Sequence, residues 1–357
     1  MKKSILALAV AASLAVPAAA NAEAKVYGNI HLTIQSIDKD SGVQGYDNNI
    51  NNNVDLSSNT SSIGVKGSED LGNGLKAIYK AEYQIDAADN QGGGNALTQR
   101  DIFVGVKGAY GTAKFGIMSS NWKQTGAKVD PFYRTPVEGR GFLDIQSKLH
   151  SGRDINRGRS TNTVQYVSPK FSGIFLVANT TLSANNDEST GVGLRWSNKH
   201  FLAYGDYINA QTGKKDLNSV TGIRDIANLN KSVTDCGNAG GTPDCSTESA
   251  YKVGGKFHNK MFSVGLQYES AQDLTNKNYI FASGTYHINR TNILALTYGK
   301  ASVDKEDATH KDHTGGALGY VHVLSKMTVV YAAYGKKSSD VNNNDISAWA
   351  LGIRKKF

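Results

Sequence analysis

Polar and apolar side chains alternate through most of the chain. Between Leu75 and Asp86, one series is Leu75, Ala77, Tyr79, Ala81, Tyr83 and Ile85, and the other is Lys76, Ile78, Lys80, Glu82, Gln84 and Asp86. Successive side chains of a strand point to opposite faces, so this segment predicts a strand with one greasy and one charged face. A helix needs apolar residues every three or four positions, which is not the pattern here. Phe262, Val264, Leu266 and Tyr268 likewise alternate with Ser263, Gly265, Gln267 and Glu269, and Val192, Leu194 and Trp196 with Gly193, Arg195 and Ser197. At the end of the chain, Trp349, Leu351, Ile353 and Phe357 alternate with Ala350, Gly352, Arg354 and Lys356, and Lys355 is the one exception on that apolar face.

Short turns join pairs of these segments at 70–74, 109–111, 168–170, 197–199, 258–260, 289–290 and 324–326. Such turns between alternating runs read as hairpins. Long polar stretches separate the pairs, the largest at 37–59, 119–158 and 211–248. The pattern predicts sixteen strands, at 24–36, 60–69, 74–87, 98–108, 111–118, 160–168, 173–183, 189–197, 200–210, 249–258, 261–270, 278–288, 291–302, 314–323, 327–337 and 346–357. The phase is ambiguous in 173–183 and 200–210.

The 357 residues include 38 Gly and 17 Tyr but only 5 Pro, which suits many strands joined by turns. No apolar run of about 18–20 residues stands outside the N-terminus, so this is not a helical membrane protein. Two cysteines exclude a disulfide-stapled scaffold and a Cys-rich metal protein. Residues 1–22 read as a cleaved signal peptide: Lys2 and Lys3, the apolar stretch 5–16, then Ala20-Asn21-Ala22 as a cleavage site. Removing 22 of 357 residues leaves a 335-residue domain at 23–357, and losing two lysines lowers the net charge from +8 to +6.

A soluble sandwich and a membrane barrel both use such strands. Three features favour the barrel. Full charges on the polar face (Lys76, Lys80, Glu82) suit a wet lumen. Turns alternate short and long, as between the two sides of an outer membrane. Aromatics on the apolar faces (Tyr79, Tyr83, Trp196, Tyr268, Tyr298, Tyr334, Trp349) suit interfacial girdles. The expected fold is all-β, a 16-stranded antiparallel transmembrane β-barrel, a size that leaves an aqueous channel.

The segments 25–29 (KVYGN), 63–77 (IGVKGSEDLGNGLKA) and 100–108 (RDIFVGVKG), with Tyr110-Gly111-Thr112 and the terminal Phe357, resemble the general porins of Gram-negative outer membranes. The resemblance covers essentially the whole mature chain, and 66–77 is its most specific part. It implies a homotrimer, passive diffusion of small hydrophilic solutes and ions, and a third outer loop, 119–158, folded inward to constrict each pore. By position, Arg100 and Arg159 match basic wall residues and Glu82 a lumen carboxylate. The loop carboxylates would be Glu138 and Asp144, with Arg134 and Arg140 beside them, and Lys80 is an additional lumen base. Asn29 and Ser62 depart from the enterobacterial pattern, which has a base at each position. Facing charges across a narrow passage set ion preference. The loop holds seven bases and four acids, so a weak anion preference or near-neutral selectivity is expected. A channel selective for phosphate or a small organic anion is the alternative.

Phe357 at the end of an alternating strand resembles the signal read by the barrel-assembly machinery. Cys236 and Cys245 are disulfide candidates in an outer loop. His310 and His313 read as solvated loop residues. Outer-membrane lipid and lipopolysaccharide are the expected surroundings. No metal, cofactor or nucleic-acid partner is expected. No catalytic set stands in a supporting context, so an enzyme barrel is disfavoured.

Overall fold

The structure is a computed structural model that describes residues 23–40, 53–88, 97–150, 158–182, 189–213, 245–303, 311–340 and 345–357. The signal segment and Cys236 lie outside the described residues. Among the described residues the first strands are β1 (Glu23–Lys39), β2 (Val54–Ser58), β3 (Ser62–Gly72), β4 (Leu75–Ile85), β5 (Leu97–Gly108) and β6 (Gly111–Ser119). Next come β7 (Arg159–Val167), β8 (Ile174–Thr181), β9 (Ser189–Ser197), β10 (Phe201–Gly213), β11 (Cys245–His258) and β12 (Phe262–Ala271). The last are β13 (Lys277–His287), β14 (Asn292–Val303), β15 (His313–Ser325), β16 (Thr328–Ser339) and β17 (Ile346–Lys356).

Seventeen strands make sixteen staves. One edge of β1 pairs with β3 from Glu23↔Ser68 to Asn29↔Ser62 and then with β2 from Leu32↔Ser58 to Ser36↔Val54. β2 and β3 are therefore two halves of one stave, interrupted at 59–61, where Thr60 takes the left-handed φ of 56°. The expected loop 37–59 thus contains a strand at its end, and β11 likewise begins inside the expected loop 211–248, at Cys245. The other edge of β1 pairs with β17 from Asn29↔Lys356 to Lys39↔Ile346. Every pairing is antiparallel, and the β1–β17 seam closes the sheet on itself. Closure joins the first stave to the last, as β structure in hydrocarbon requires.

The alternation in sequence becomes two faces of the wall. Val192, Leu194 and Trp196 are exposed on the outside, while Arg195 between them is buried. The same holds for Leu266 outside against Gln267 and Glu269 inside.

Segment 119–150 packs against the buried face of this wall. It contains α1 (Asn121–Val129), whose N-terminus is capped by Ser120 through a hydrogen bond from the Lys123 N–H to its Oγ (3.3 Å). Val129, Phe132, Val137, Phe142, Leu143 and Ile145 form one apolar cluster with Phe281, Ala295, Ala317, Ala333 and Ala348 of the wall. Wall glycines make this approach possible: a Cβ at Gly319 would stand 2.5 Å from the Phe132 ring, at Gly299 2.8 Å from Ile145, and at Gly335 3.1 Å from Val137. Interiors pack at crystal-like density, so any side chain there would displace the segment.

Candidate functional site: a charged space between the wall and segment 119–150

Period two carries Lys80 and Glu82 to the buried face of β4. Opposite them β5 has a bulge: Ala81 pairs with Ile102 and Tyr83 with Gln99, so Arg100 and Asp101 together face Glu82. A bulge sets two residues against one and re-aims their side chains. Both therefore reach the same side. Arg100 Nε lies 2.5 Å from Glu82 Oε1, and Lys80 Nζ bridges Glu82 (3.0 Å) and Asp101 (3.1 Å). Arg159, the first residue of β7, reaches Asp101 at 2.8 Å, and Ser119 donates to the same carboxylate at 3.2 Å. From β1, the Tyr27 hydroxyl donates to Glu82 Oε2 at 2.8 Å. Three bases and two acids thus form one connected network.

This network borders an open space of about 420 Å³ between β4–β7 and α1 with the residues that follow it. Lys114, Lys123, Lys128 and Arg134 also line it, so seven bases face two carboxylates. Lys123 is buried, donates its Nζ proton to the His150 carbonyl, and is held well below the usual lysine range by burial and by nearby Arg140 and Arg159. Lys114 donates to Gln165 Oε1 at 2.9 Å, and Arg134 stacks 5.5 Å from the Tyr133 ring. Neither these two nor Lys128 pairs with a carboxylate among the described residues. The space therefore carries excess positive charge.

Of the eight charged residues expected from sequence, Lys80, Glu82, Arg100, Arg159 and Arg134 line this space. The other three do not. Glu138 accepts from Arg140 Nε (2.8 Å) and from the Arg134 N–H (2.8 Å), within its own segment. Arg140 also donates to the His150 carbonyl at 2.6 Å. Asp144 pairs instead with Lys277 of β13 and sits 3.5 Å from His313 of β15. Lys277 above all holds its carboxyl below the usual range, although burial opposes it. His313 is thus a buried strand residue, not a solvated loop residue. Asn29 donates to Ser62 Oγ at 2.8 Å, joining the two positions where a base was missing.

Three features were not anticipated. Asp101 is the second carboxylate of the network. Asp206 on β10 holds Arg195 (2.6 Å), the Asn121 amide (3.0 Å), Thr125 (2.6 Å) and Lys252 (3.6 Å), which ties α1 to the wall. Fully buried Glu269 accepts from Ser147 and from His150 Nε2 (2.9 Å), and burial pushes the His150 imidazole down to about 4.

The family model for Gram-negative porins matches residues 7–343. An outer membrane porin protein of Bordetella pertussis is 26% identical over the full length of both chains. The major outer membrane protein P.IB of Neisseria gonorrhoeae is 35% identical over 207 residues, 57% of this chain and 56% of that one. The chain therefore matches a little over half the length of this relative. Among solved structures, an anion-selective porin from Comamonas acidovorans superposes with a TM-score of 0.73 at 18% identity, over 94% of this chain and all of that one. A trimeric form of OmpT of Vibrio cholerae gives 0.64 at 13% identity, over 94% and 99%. At these identities the likeness speaks for the fold alone. The matched residues and the closed sixteen-stave sheet agree: this chain belongs to the Gram-negative porin family and is an outer-membrane barrel.

Proposed function

We propose that the protein forms a water-filled channel for passive diffusion of small hydrophilic solutes and ions, with a weak preference for anions. The observation that carries this reading is the imbalance of charge around the open space, where six bases besides the depressed Lys123 face two carboxylates. Lys80, Arg100 and Arg159 are largely neutralised by Glu82 and Asp101, and Lys114, Lys128 and Arg134 supply the surplus. A passing anion meets that surplus in a space bounded by protein, where bulk water screens less completely. Segment 119–158 narrows the bore on this reading, with Arg134 at its edge. The anion-selective Comamonas neighbour is in keeping with it.

The same reading takes 1–22 as a signal removed before Glu23. It takes the assembled form as a homotrimer, in keeping with the trimeric neighbour. Phe357 would serve as the assembly signal: its N–H and carbonyl exchange hydrogen bonds with Gly28 across the seam (3.1 and 3.0 Å).

The reversal potential of the purified protein in a bilayer under a KCl gradient tests the reading. A modest excess of chloride over potassium permeability is expected, and strong potassium preference would contradict it. Current that rises linearly with solute distinguishes a general pore from one saturable by phosphate or an organic anion.

A further inference from the structure

The five short turns from β7 to β16 each carry one cation: Lys170, Lys199, Lys260, Arg290 and Lys326. All five are exposed, and segments 167–173, 197–201, 258–262, 287–292 and 324–328 contain no Asp or Glu. Four of the five are placed by the turns themselves. Asn198 Oδ1 accepts the N–H groups of His200 and Phe201 at 2.8 Å, and Asn259 Oδ1 those of Met261 and Phe262 at 2.8 Å. Asn289 Oδ1 accepts from Thr291 and Asn292 at 2.9 Å, and Ser325 Oγ from Met327 at 3.2 Å. In each, the residue after the capping side chain is the cation, held at the tip.

Just inside the tips runs a row of rings. Trp196 and Phe201 lie 6.4 Å apart, Phe201 and Phe257 5.0 Å, and Phe257 and Phe262 5.5 Å. Outer-membrane barrels carry girdles of aromatic rings at both interfaces, and Lys and Arg lay their stems along apolar surface while the charged head reaches the phosphate layer. We propose that this rim is a collar that binds anionic phospholipid of the periplasmic leaflet, with the five cations holding headgroup phosphates and the rings seated at the acyl boundary. A polyanion of the aqueous periplasm, such as peptidoglycan, has no use for the apolar shoulder, so lipid is favoured. The proposal rests on the reading that the exposed apolar face meets lipid.

The test uses the full chain reconstituted with Trp349→Phe, which leaves Trp196 in the collar and Trp122 fully buried. Quenching by brominated phosphatidylglycerol is compared with quenching by brominated phosphatidylcholine. Phosphatidylglycerol is expected to associate about five-fold more strongly at low salt, the effect of one cation near an anionic headgroup, and to lose that advantage at high salt. Lys170→Gln with Lys199→Gln, in the turns on either side of Trp196 and outside the charged space, is expected to bring the ratio to about one while single-channel conductance is unchanged. Equal quenching in the parent, or a preference that survives both substitutions, would overturn the collar. So would cosedimentation with purified peptidoglycan that these substitutions abolish, with no lipid preference. Failure of both lipids to quench Trp196 would instead overturn the lipid-facing reading beneath it.

Discussion

Asp101→Asn isolates the charge balance from the shape. The substitution keeps the side-chain volume and removes the carboxylate that Lys80 (3.1 Å) and Arg159 (2.8 Å) share. An anion that contacts Lys80 on its free side lies about 7 Å from the lost charge, where Coulomb's law in water gives about 0.6 kcal/mol. At an ionic strength of about 0.1 M the Debye length of about 10 Å halves this to about 0.3 kcal/mol. Chloride gains that much and potassium loses it, so their permeability ratio should rise about three-fold. At about 1 M salt the Debye length shrinks to about 3 Å and the effect should nearly vanish. Reversal potentials of the parent and Asp101→Asn, taken in KCl gradients at both ionic strengths, measure this directly. An unchanged ratio at low salt, or a shift toward potassium, would refute the reasoning. A shift that ignores salt would point to altered shape.

Asp206→Ala strands Arg195 and Lys252 without their carboxylate; breaking a buried pair in this way costs about 3–5 kcal/mol, so a lower thermal midpoint and noisier single-channel current are expected. Gly319→Val crowds Phe132 and should push the segment off β15 toward the open space; overpacking of about 1–3 kcal/mol and a reduced conductance are expected, and full conductance would argue against the contact. Burial raises the Asp130 carboxyl to about 7 although it accepts the Phe132 and Gly139 N–H groups. The folded chain keeps this proton while the unfolded chain releases it near the usual carboxylate pKa of about 4, so stability should fall as pH rises from about 4 to about 7 and then level off. Asp130→Asn should flatten that part of a melting-temperature profile.

The barrel was legible because a two-residue period survives wherever one face meets lipid and the other meets polar groups. Lys80 and Glu82 follow from it directly. Asp101 does not: the β5 bulge breaks strict parity, so two consecutive residues reach one side. The 200–210 phase was ambiguous for another reason. Tyr204 and Ile208 on the buried face are apolar because they pack in the clusters that hold the internal segment, while Tyr207 is apolar on the outer face. A strand greasy on both sides shows no alternation, and Asp206 was hidden within it. The abundance of glycine had a second cause beside turns, since Gly299, Gly319 and Gly335 make room for Ile145, Phe132 and Val137. The partners of Asp144, Lys277 and His313, were not legible, because nothing local in sequence specifies residues over a hundred positions away.

Substituted-cysteine accessibility tests the central claim most directly. In a chain with Cys236 and Cys245 replaced by serine, Lys114→Cys and Leu266→Cys are each recorded as single channels while a charged, membrane-impermeant thiol reagent is added. Lys114→Cys should react and its conductance should step down, whereas Leu266→Cys, on the exposed apolar face, should stay silent. Reaction at Leu266→Cys with silence at Lys114→Cys would mean that the wall has been read inside out.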